Sequence, residues 1–561
     1  MSKKQKIILF SILAFAFLFR LTGVSHGLPQ DFFGDELVHI NAAFNLLEQK
    51  TLRANFDFLY VPPLLSYILA PIFGLYGVIG ILIGKFHNIL DYKNFVLLNW
   101  GYFLIFSRII AVIFSTATIY FLFSLVKKIF NSKIAWATAI FLTFDYLHFH
   151  ESSHGHFWAL ATFFIVAGAY FIYQLYKSGE KKYYFWSALM IGLGFGAGYV
   201  PLILFPWFIA AHFLRKKSLD KKIIFSTLLI IILVGLIIFI NPYYSFYRQF
   251  GRVISASLDF FGYKTGFSIE DSSFHKTNVV NNLADAIYWL WHNNILLLIT
   301  GMLGIFILLR QKKLEFKNWL IIGLLLAYII GFSFGFGELR ARYILPAVPF
   351  LIIVSIYFLH YLTDKISRTI KYKNIIFISL VILLIGHSAY MSILYAQKLQ
   401  RPNTRIQAID WIYQNIPSGS RIILDVPRVW LNENKESIEF LKENNPKWFN
   451  ARRKYLLTLD EDQCPKPNYF IYNLKYLDLE KLDFEKVKAD YYIGNTRNDE
   501  NKELINFILK NKKLETKFYP REKFNNAIKD PADSPIVNPF ITLGSIDYLG
   551  PYVEIYKLSP Q

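Results

Sequence analysis

The sequence predicts a multi-span α-helical membrane protein with a soluble α/β domain at its C-terminal end. Of its 561 residues, 54% are hydrophobic and 18% aromatic, while only 18% are charged. Apolar runs long enough to cross a bilayer recur as far as residue 397, with short basic clusters between them. An ordinary soluble protein is less apolar and does not show this alternation.

Lysine and arginine give the chain a net charge of +20, which in a soluble protein would suggest a nucleic-acid partner. Here they lie in clusters between apolar runs, the pattern of loops held on the cytoplasmic side of a membrane. The clusters are at 127–133, 177–182, 215–222, 310–317 and 365–373. We therefore expect no nucleic-acid partner. The single cysteine, Cys464, excludes an intrachain disulfide.

The first element is predicted to be an uncleaved helix with its N-terminus in the cytoplasm. Residues 1–24 have a basic head and an apolar run, and no small-residue cleavage site follows. Further spans are predicted near 100–126, 134–147, 156–176, 185–198, 199–214, 223–241, 286–309, 318–336, 343–362 and 374–397. If every basic cluster lies in the cytoplasm, successive spans cross the membrane in alternating directions.

One apolar segment, 62–84, breaks the alternation if it crosses once. We expect it either to re-enter, broken at Pro71 and Gly74, or to cross twice with the help of 85–99. The total is then roughly 11 to 13 spans by the length of chain that a bilayer needs.

The predicted division is a transmembrane domain at 1–397 and a soluble extracytoplasmic domain at 398–561. The soluble part starts with an amphipathic helix, a Pro-Ser-Gly turn and the strand "RIILD", and later contains "ADYYIGNT" and "YVEIYKL". The predicted loops on the outer face of the membrane are 25–61, 145–156, 242–285 and 337–342.

The first outer loop carries acids beside the membrane, in "QDFFGDELVHINAAFNLLEQ". Its apolar residues at 37, 40, 44 and 47 follow the spacing of one helical face, which predicts a helix lying on the membrane surface. Asp35 and Glu36 fall in the first turn of this helix, where the helix dipole stabilises negative charge. Capping of the helix is the alternative explanation for both acids.

Other charged residues accompany these acids. His39 lies four residues after Asp35, on the same helix face. Arg108 opens a predicted span, where a charge is costly and usually functional. The second outer loop reads "DYLHFHESSHGHFW", and a late outer loop, "GFGELRARYILPAVPFL", places three charged residues at the mouth of a span.

In this order the features resemble the GT-C fold glycosyltransferases that use lipid-phosphate sugars, in the protein O-mannosyltransferase and aminoarabinose lipid A transferase group. The matching features are "DE" after the first span, a following "PPL", an arginine opening a later span, an acidic second outer loop and "RYILPAVPF". The resemblance covers about residues 1–400. It implies a polyprenyl-phosphate sugar as donor, Asp35 as the general base, Glu36 as its supporting acid, and cations that hold the leaving phosphate.

Elementary chemistry agrees with these roles, because an attacking hydroxyl must lose a proton and a leaving phosphate needs its charge stabilised. A base opposite the leaving group implies a single displacement with inversion. Arg340 and Arg342 are the first candidates for the phosphate, and Arg108 is the next. His39 and Glu338 are expected to support the site.

The chain departs from the group in two places. Relatives of the aminoarabinose type often have a lysine just before Pro-Pro, where this chain has Tyr60 and Val61. Many relatives have Asp in the second outer loop, where this chain has Glu151, His154 and His156. These three side chains can bind a divalent metal or, equally, sugar hydroxyls, while the loop's other histidines, at 148 and 150, can be merely interfacial.

Two other classes of function fit part of the sequence. A transporter or flippase of a lipid-linked sugar suits intramembrane charges, but not the large soluble domain or the lack of an internal repeat. A membrane scaffold leaves the charges of the outer loops unexplained. The expected location is the plasma or inner membrane. The sequence names neither the sugar nor the acceptor, which can be a protein, a lipid or a cell-envelope glycan.

Overall fold

The computed structural model describes residues 1–32, 35–53, 62–241, 258, 279–311, 315–335, 340–366, 372–477, 488–495, 512–521 and 543–558. Most of the predicted outer loop 242–285 lies outside these residues, as do Tyr60, Val61 and Glu338. The described part is mainly helical up to Leu399 and contains a β-sheet after it. This confirms the predicted class, a multi-span helical membrane protein with a C-terminal α/β domain.

The first five helices contain Asp35, Glu36 and Arg108. They are α1 (Lys3–Leu21), α2 (Asp35–Gln49), α3 (Pro63–Leu82), α4 (Ile89–Asn99) and α5 (Leu104–Ile129). Helix α3 continues through Pro71, so the predicted break there is wrong. In a membrane helix, neighbouring groups can satisfy the carbonyl that a proline leaves without a partner. Helix α4 folds back along α3, and the Tyr92 hydroxyl donates to the Phe73 carbonyl over 2.8 Å.

Eleven further helices complete the part of the chain before the sheet. They are α6 (Ser132–Phe144), α7 (Tyr146–Ser152), α8 (Phe157–Ser178), α9 (Lys181–Ala197), α10 (Leu204–Arg215), α11 (Lys221–Ile240), α12 (Val279–Asn293), α13 (Ile295–Leu309), α14 (Phe316–Gly335), α15 (Val348–Ile366) and α16 (Lys373–Leu399). A short 3₁₀ helix, Ala341–Ala347, leads into α15. The predicted apolar runs are helical over most of their described length, but 134–147 is divided at Asp145 and 286–309 is divided at Asn294.

Among the described residues, six helical stretches are long and apolar enough to cross a membrane. The number is seven if α12 and α13, which bend by 117° at their junction, form one span. Three shorter apolar helices lie at Ser132–Phe144, Val200–Arg215 and Phe316–Gly331. The predicted total of roughly 11 to 13 spans is larger, and it requires shorter helices to cross as well.

The C-terminal part is built around a five-stranded sheet. Its helices are α17 (Thr404–Asn415), α18 (Lys435–Asn444) and α19 (Ala451–Thr458), and its strands are β1 (Arg421–Asp425), β2 (Phe470–Asn473), β3 (Tyr491–Gly494), β4 (Lys512–Phe518) and β5 (Val553–Leu558). The strand order is β2-β1-β3-β5-β4. The first three strands are parallel, and β5 runs antiparallel to both its neighbours.

Side chains from the membrane helices and the C-terminal part share one buried cluster. Tyr146 and Phe149 of α7 pack with Tyr395 of α16, and the cluster also contains Leu543 and Ile546. Because burial of apolar surface is the main favourable term in packing, this cluster fixes the C-terminal domain over α7.

Candidate active site

Asp35 and Glu36 begin α2 and point in different directions. The Asp35 side chain is 44% exposed, whereas the Glu36 side chain is completely buried. Successive residues of a helix lie about 100° apart around its axis, so the two acids cannot share one environment. The same helix buries Ile40 and Ala43 on the side of Glu36.

Glu36 forms a bidentate ion pair with Arg108 of α5. The Nε–Oε1 distance is 3.0 Å and the Nη2–Oε2 distance is 2.8 Å. The remaining terminal nitrogen of Arg108 donates to the carbonyls of Val24 and His26. The backbone N–H of Gly155 also donates to Glu36. The pair therefore connects α2, α5, the first outer loop and the second outer loop in a buried position.

Asp35 faces two cationic or polar partners. Nη2 of Arg342 lies 2.9 Å from its Oδ2, and Nε2 of His156 lies 3.4 Å from the same oxygen. Burial acts to raise the pKa of Asp35. The hydrogen bond and charge of His156, together with the charges of Arg342 and Arg428, outweigh burial and hold this pKa below its ordinary value. Asp35 is therefore a charged, accessible carboxylate beside a guanidinium.

His39, predicted to support Asp35, lies behind this pair. Its ring meets the ring of His156 edge to face at 5.9 Å between centroids, and its Nδ1 is 3.4 Å from the Ser66 hydroxyl. Burial lowers the pKa of His39 to about 3, with the charge of His156 acting in the same direction. His39 is therefore neutral near pH 7, and it touches the partner of Asp35.

The two predicted arginines of the late loop have different surroundings. Arg342 lies in the 3₁₀ helix before α15, with its guanidinium 5.4 Å from the centre of the Tyr343 ring. The N-cap of that helix, Arg340, is exposed. The structure therefore brings Arg342 to Asp35, and it places Arg340 at the surface.

The second outer loop forms a buried group that we call the His–Glu–His cluster: His150, Glu151 and His154. One potential ligand atom from each lies within 4.8 Å of the others. His150 Nδ1 is 3.0 Å from Glu151 Oε1. Burial acts to raise the pKa of Glu151, but the hydrogen bond and charge of His150 outweigh it and lower this pKa. Burial also lowers the pKa of His154.

This grouping changes two expectations for the loop. His156 was expected beside Glu151 and His154, but its Nε2 faces Asp35, because the chain turns between α7 and α8. His148 and His150 are not interfacial, since they are 1% and 2% exposed. Nδ1 of His148 lies 3.0 Å from a guanidinium nitrogen of Arg20. The i,i+4 spacing of His150 and His154 was the available signal for the cluster.

Sequence reasoning missed a contribution from the C-terminal domain. Arg428, in the loop after β1, donates to the carbonyl of Phe32 and adds its charge to those acting on Asp35. Beside it, Trp430 is hydrogen-bonded to Gln30. Because the contacting residues of the two loops are 396 and 400 positions apart, local sequence patterns contain no signal for the contact.

These residues fit one kind of chemistry. A charged carboxylate that solvent can reach is able to accept a proton from a hydroxyl group. Guanidinium groups beside it can bind a phosphate in the bidentate geometry that they prefer. Two imidazoles and one carboxylate, as in the His–Glu–His cluster, form a ligand set that divalent transition metals accept.

One family model matches part of the chain. Residues 104–243 match the model of dolichyl-phosphate-mannose-protein mannosyltransferases. This match confirms the resemblance predicted from the sequence, over a segment that contains Arg108 and the His–Glu–His cluster. No curated protein matches the chain significantly in sequence.

Several solved structures are similar to the chain at low sequence identity. The Archaeoglobus fulgidus oligosaccharyltransferase in its apo form is 12% identical, with a TM-score of 0.44, and the match covers 89% of this chain and 70% of that one. ArnT from Cupriavidus metallidurans, bound to undecaprenyl phosphate, is 9% identical, with a TM-score of 0.46, and the match covers 92% and 97%.

Proposed function

We propose that the protein is an inverting glycosyltransferase that moves a sugar from a polyprenyl-phosphate donor to an acceptor hydroxyl at the outer membrane surface. The observation that carries this proposal is the Asp35–Arg342 pair, a charged and accessible carboxylate 2.9 Å from a guanidinium in a multi-span membrane protein. The family match over 104–243 supports the same reaction class.

In the proposed reaction, Asp35 accepts the proton of the acceptor hydroxyl while that oxygen attacks the anomeric carbon of the sugar. The bond between the anomeric carbon and the phosphate oxygen breaks, and the polyprenyl phosphate leaves with the electron pair. The attacking and leaving oxygens are on opposite faces of the sugar, so the configuration inverts.

Arg342 has two successive partners in this scheme. Without substrate it is paired with Asp35, which keeps the carboxylate charged but weakly basic. The donor phosphate competes for the guanidinium, because both are oxyanions that bind it bidentately. When Arg342 moves to the phosphate, the pKa of Asp35 rises toward its ordinary value, and the carboxylate becomes a stronger base.

Glu36 and Arg108 act as positioning residues in this scheme. Arg108 is 1% exposed, and its hydrogen bonds go to Glu36 and to backbone carbonyls, so it has a different role from the phosphate binding expected from the sequence. The pair holds the start of α2 against α5, which fixes the direction in which Asp35 projects.

The basic clusters support a location in which the N-terminus lies in the cytoplasm and the C-terminal domain lies outside. Asp35 then meets the donor at the outer surface of the membrane. The acceptor can be a protein, a lipid or a glycan. The alternative is a transporter or flippase of the same lipid-linked sugar, which would translocate the donor without forming a new glycosidic bond.

Replacement of Asp35 by Asn tests this proposal. We expect Asp35→Asn to insert and fold normally, but to lose transfer from a radiolabelled polyprenyl-phosphate sugar by about 10²-fold or more, because the amide cannot accept the proton. Asn caps a helix as well as Asp does, so a capping role alone predicts full activity. The matched control is Glu48→Gln, which removes an exposed acid from the same helix.

Asp31 is less suitable as a control because of its surroundings. This acid is 2% exposed and interacts with the charge of Arg108, so its replacement would disturb the buried pair of Glu36 and Arg108.

The same assay separates the enzyme from the transporter. If the parent protein translocated the labelled donor without transferring its sugar, the enzyme would be rejected in favour of the transporter.

We also propose that the His–Glu–His cluster holds a divalent metal. The potential ligand atoms lie within 4.8 Å of one another, and a tetrahedral ion with bonds of about 2.0–2.2 Å would draw them to about 3.4 Å. The ion would add positive charge near the leaving phosphate. Metal analysis of the purified protein should find a bound divalent ion that His154→Ala loses and His87→Ala, an exposed control, retains. A metal-free parent protein would reject this site.

A further inference from the structure

A loop of the C-terminal domain lies against the first outer loop, close to Asp35. It is formed by residues 426–431, directly after β1. The Gln30 amide donates to the carbonyl of Trp430 over 3.2 Å and accepts from its backbone N–H over 3.1 Å. The indole of Trp430 meets that of Trp100 edge to face at 6.3 Å. These contacts dock the loop without using its charged residue.

That charged residue, Arg428, has an unfavourable backbone conformation. Its φ is +63°, and it is one of two non-glycine residues with a positive φ in the described part of the chain. Such a conformation costs about 1 kcal/mol or more for most side chains, and it persists where the surrounding structure enforces it. Here Arg405 Nε donates to the Pro427 carbonyl over 2.9 Å, and Val429 is 2% exposed.

The conformation directs the guanidinium of Arg428 toward the transfer site. Its Nη1 donates to the carbonyl of Phe32, three residues before Asp35. Its positive charge reaches the Asp35 carboxylate. A guanidinium has five N–H donors, so the bond to Phe32 leaves capacity for an oxyanion. Glycine would adopt this backbone conformation at lower cost, so docking alone gives no reason for an arginine here.

The charges at the site also favour a role for Arg428 in binding an oxyanion. Two guanidinium groups, those of Arg342 and Arg428, act on the Asp35 carboxylate, and Arg342 also interacts with the charge of Glu151. A sugar phosphodiester carries one negative charge, and the phosphate gains a second when its bond to the anomeric carbon breaks. A fixed cation beside the leaving group stabilises the charge that develops in that step.

We propose that Arg428, supplied by the C-terminal domain, is a substrate-binding residue whose guanidinium binds the phosphate of the donor lipid together with Arg342. The proposal rests on the function proposed above. It gives the C-terminal domain a direct part in the transfer site. The loop 426–431 holds Arg428 in place, and the contact of Trp430 with Gln30 fixes the position of the loop against the first outer loop.

Binding of undecaprenyl phosphate to the full-length protein in lipid nanodiscs tests this role. Arg428→Gly removes the cost of the positive φ but also the hydrogen bond to Phe32, so the variant should unfold near the temperature of the parent. Its affinity for undecaprenyl phosphate should fall about tenfold or more, the effect of losing a charge-assisted hydrogen bond. Arg421→Ala, which removes an exposed arginine from the same domain, should bind like the parent.

The outcomes separate this inference from the proposed function. Parent affinity in Arg428→Gly, with weakened binding in Arg342→Ala, would overturn the role of Arg428 and leave the proposed function intact. No binding by the parent would reject the proposed function itself. If added phosphatidic acid abolished the difference between Arg428→Gly and the parent, Arg428 would be a general phospholipid contact, and the inference would fail.

Discussion

At the scale of single residues, Asp35 and Glu36 show how neighbouring acids acquire different roles. Both are carboxylates in the first turn of one helix, and the sequence predicted both as site residues. The difference between them depends on distant partners: Arg108 buries Glu36 in a bidentate pair, and Arg342 meets the exposed Asp35. A pattern within the helix cannot contain that information, because both partners come from elements far along the chain.

The pair of Asp35 with Arg342 predicts a change in pH dependence. The low pKa of Asp35 places the acid limb of kcat/KM below the ordinary carboxyl range of about 4, since this quantity reports the free enzyme. Arg342→Gln removes a charge that lowers this pKa, so the limb should move to higher pH. Arg342→Lys keeps the charge and should move the limb less, but it should lose much of the rate, because an ammonium cannot form the bidentate contact.

The control for this experiment is Arg340→Gln, two residues away and exposed. It should keep the pH profile and most of the rate of the parent. If Arg340→Gln moved the acid limb while Arg342→Gln did not, the pairing with Asp35 would be wrong.

At the scale of elements, the buried pair of Glu36 and Arg108 holds α2 on α5. Removal of one partner leaves a charge buried without compensation, which costs about 3–5 kcal/mol, whereas removal of both is often nearly neutral. Arg108→Met should therefore lower the midpoint of thermal unfolding strongly, and Glu36→Gln combined with Arg108→Met should recover much of the loss. Equal midpoints for the parent and Arg108→Met would contradict this account of the pair.

Most elements could be predicted, because they depend on periodicity within a short stretch of chain. Helix α2, the apolar helices and the strand "RIILD" appear where the sequence placed them. The break at Pro71 was wrong, because packing against neighbours overrides a local helix breaker. The regrouping of His150 and His156 depends on the turn after α7, which the sequence does not specify.

At the scale of the whole molecule, the basic clusters predict that the C-terminal domain lies outside the cytoplasmic membrane. A reporter enzyme that is active only outside the cytoplasm should be active when fused at Gln561. A fusion after Lys222, in a predicted cytoplasmic loop, serves as the control and should be inactive. Activity of a cytoplasm-only reporter at Gln561 would contradict both the orientation and the proposed mechanism.

The order of strands in the sheet has a consequence for biosynthesis. β5 ends at Leu558, yet it lies between β3 and β4 inside the sheet. The same final stretch supplies Leu543 and Ile546 to the cluster that seats the domain on α7. The sheet of this domain therefore cannot be completed until the chain has been synthesised as far as Leu558. A nascent or truncated chain without β5 would leave β3 with an open edge, which can pair with a strand of another chain.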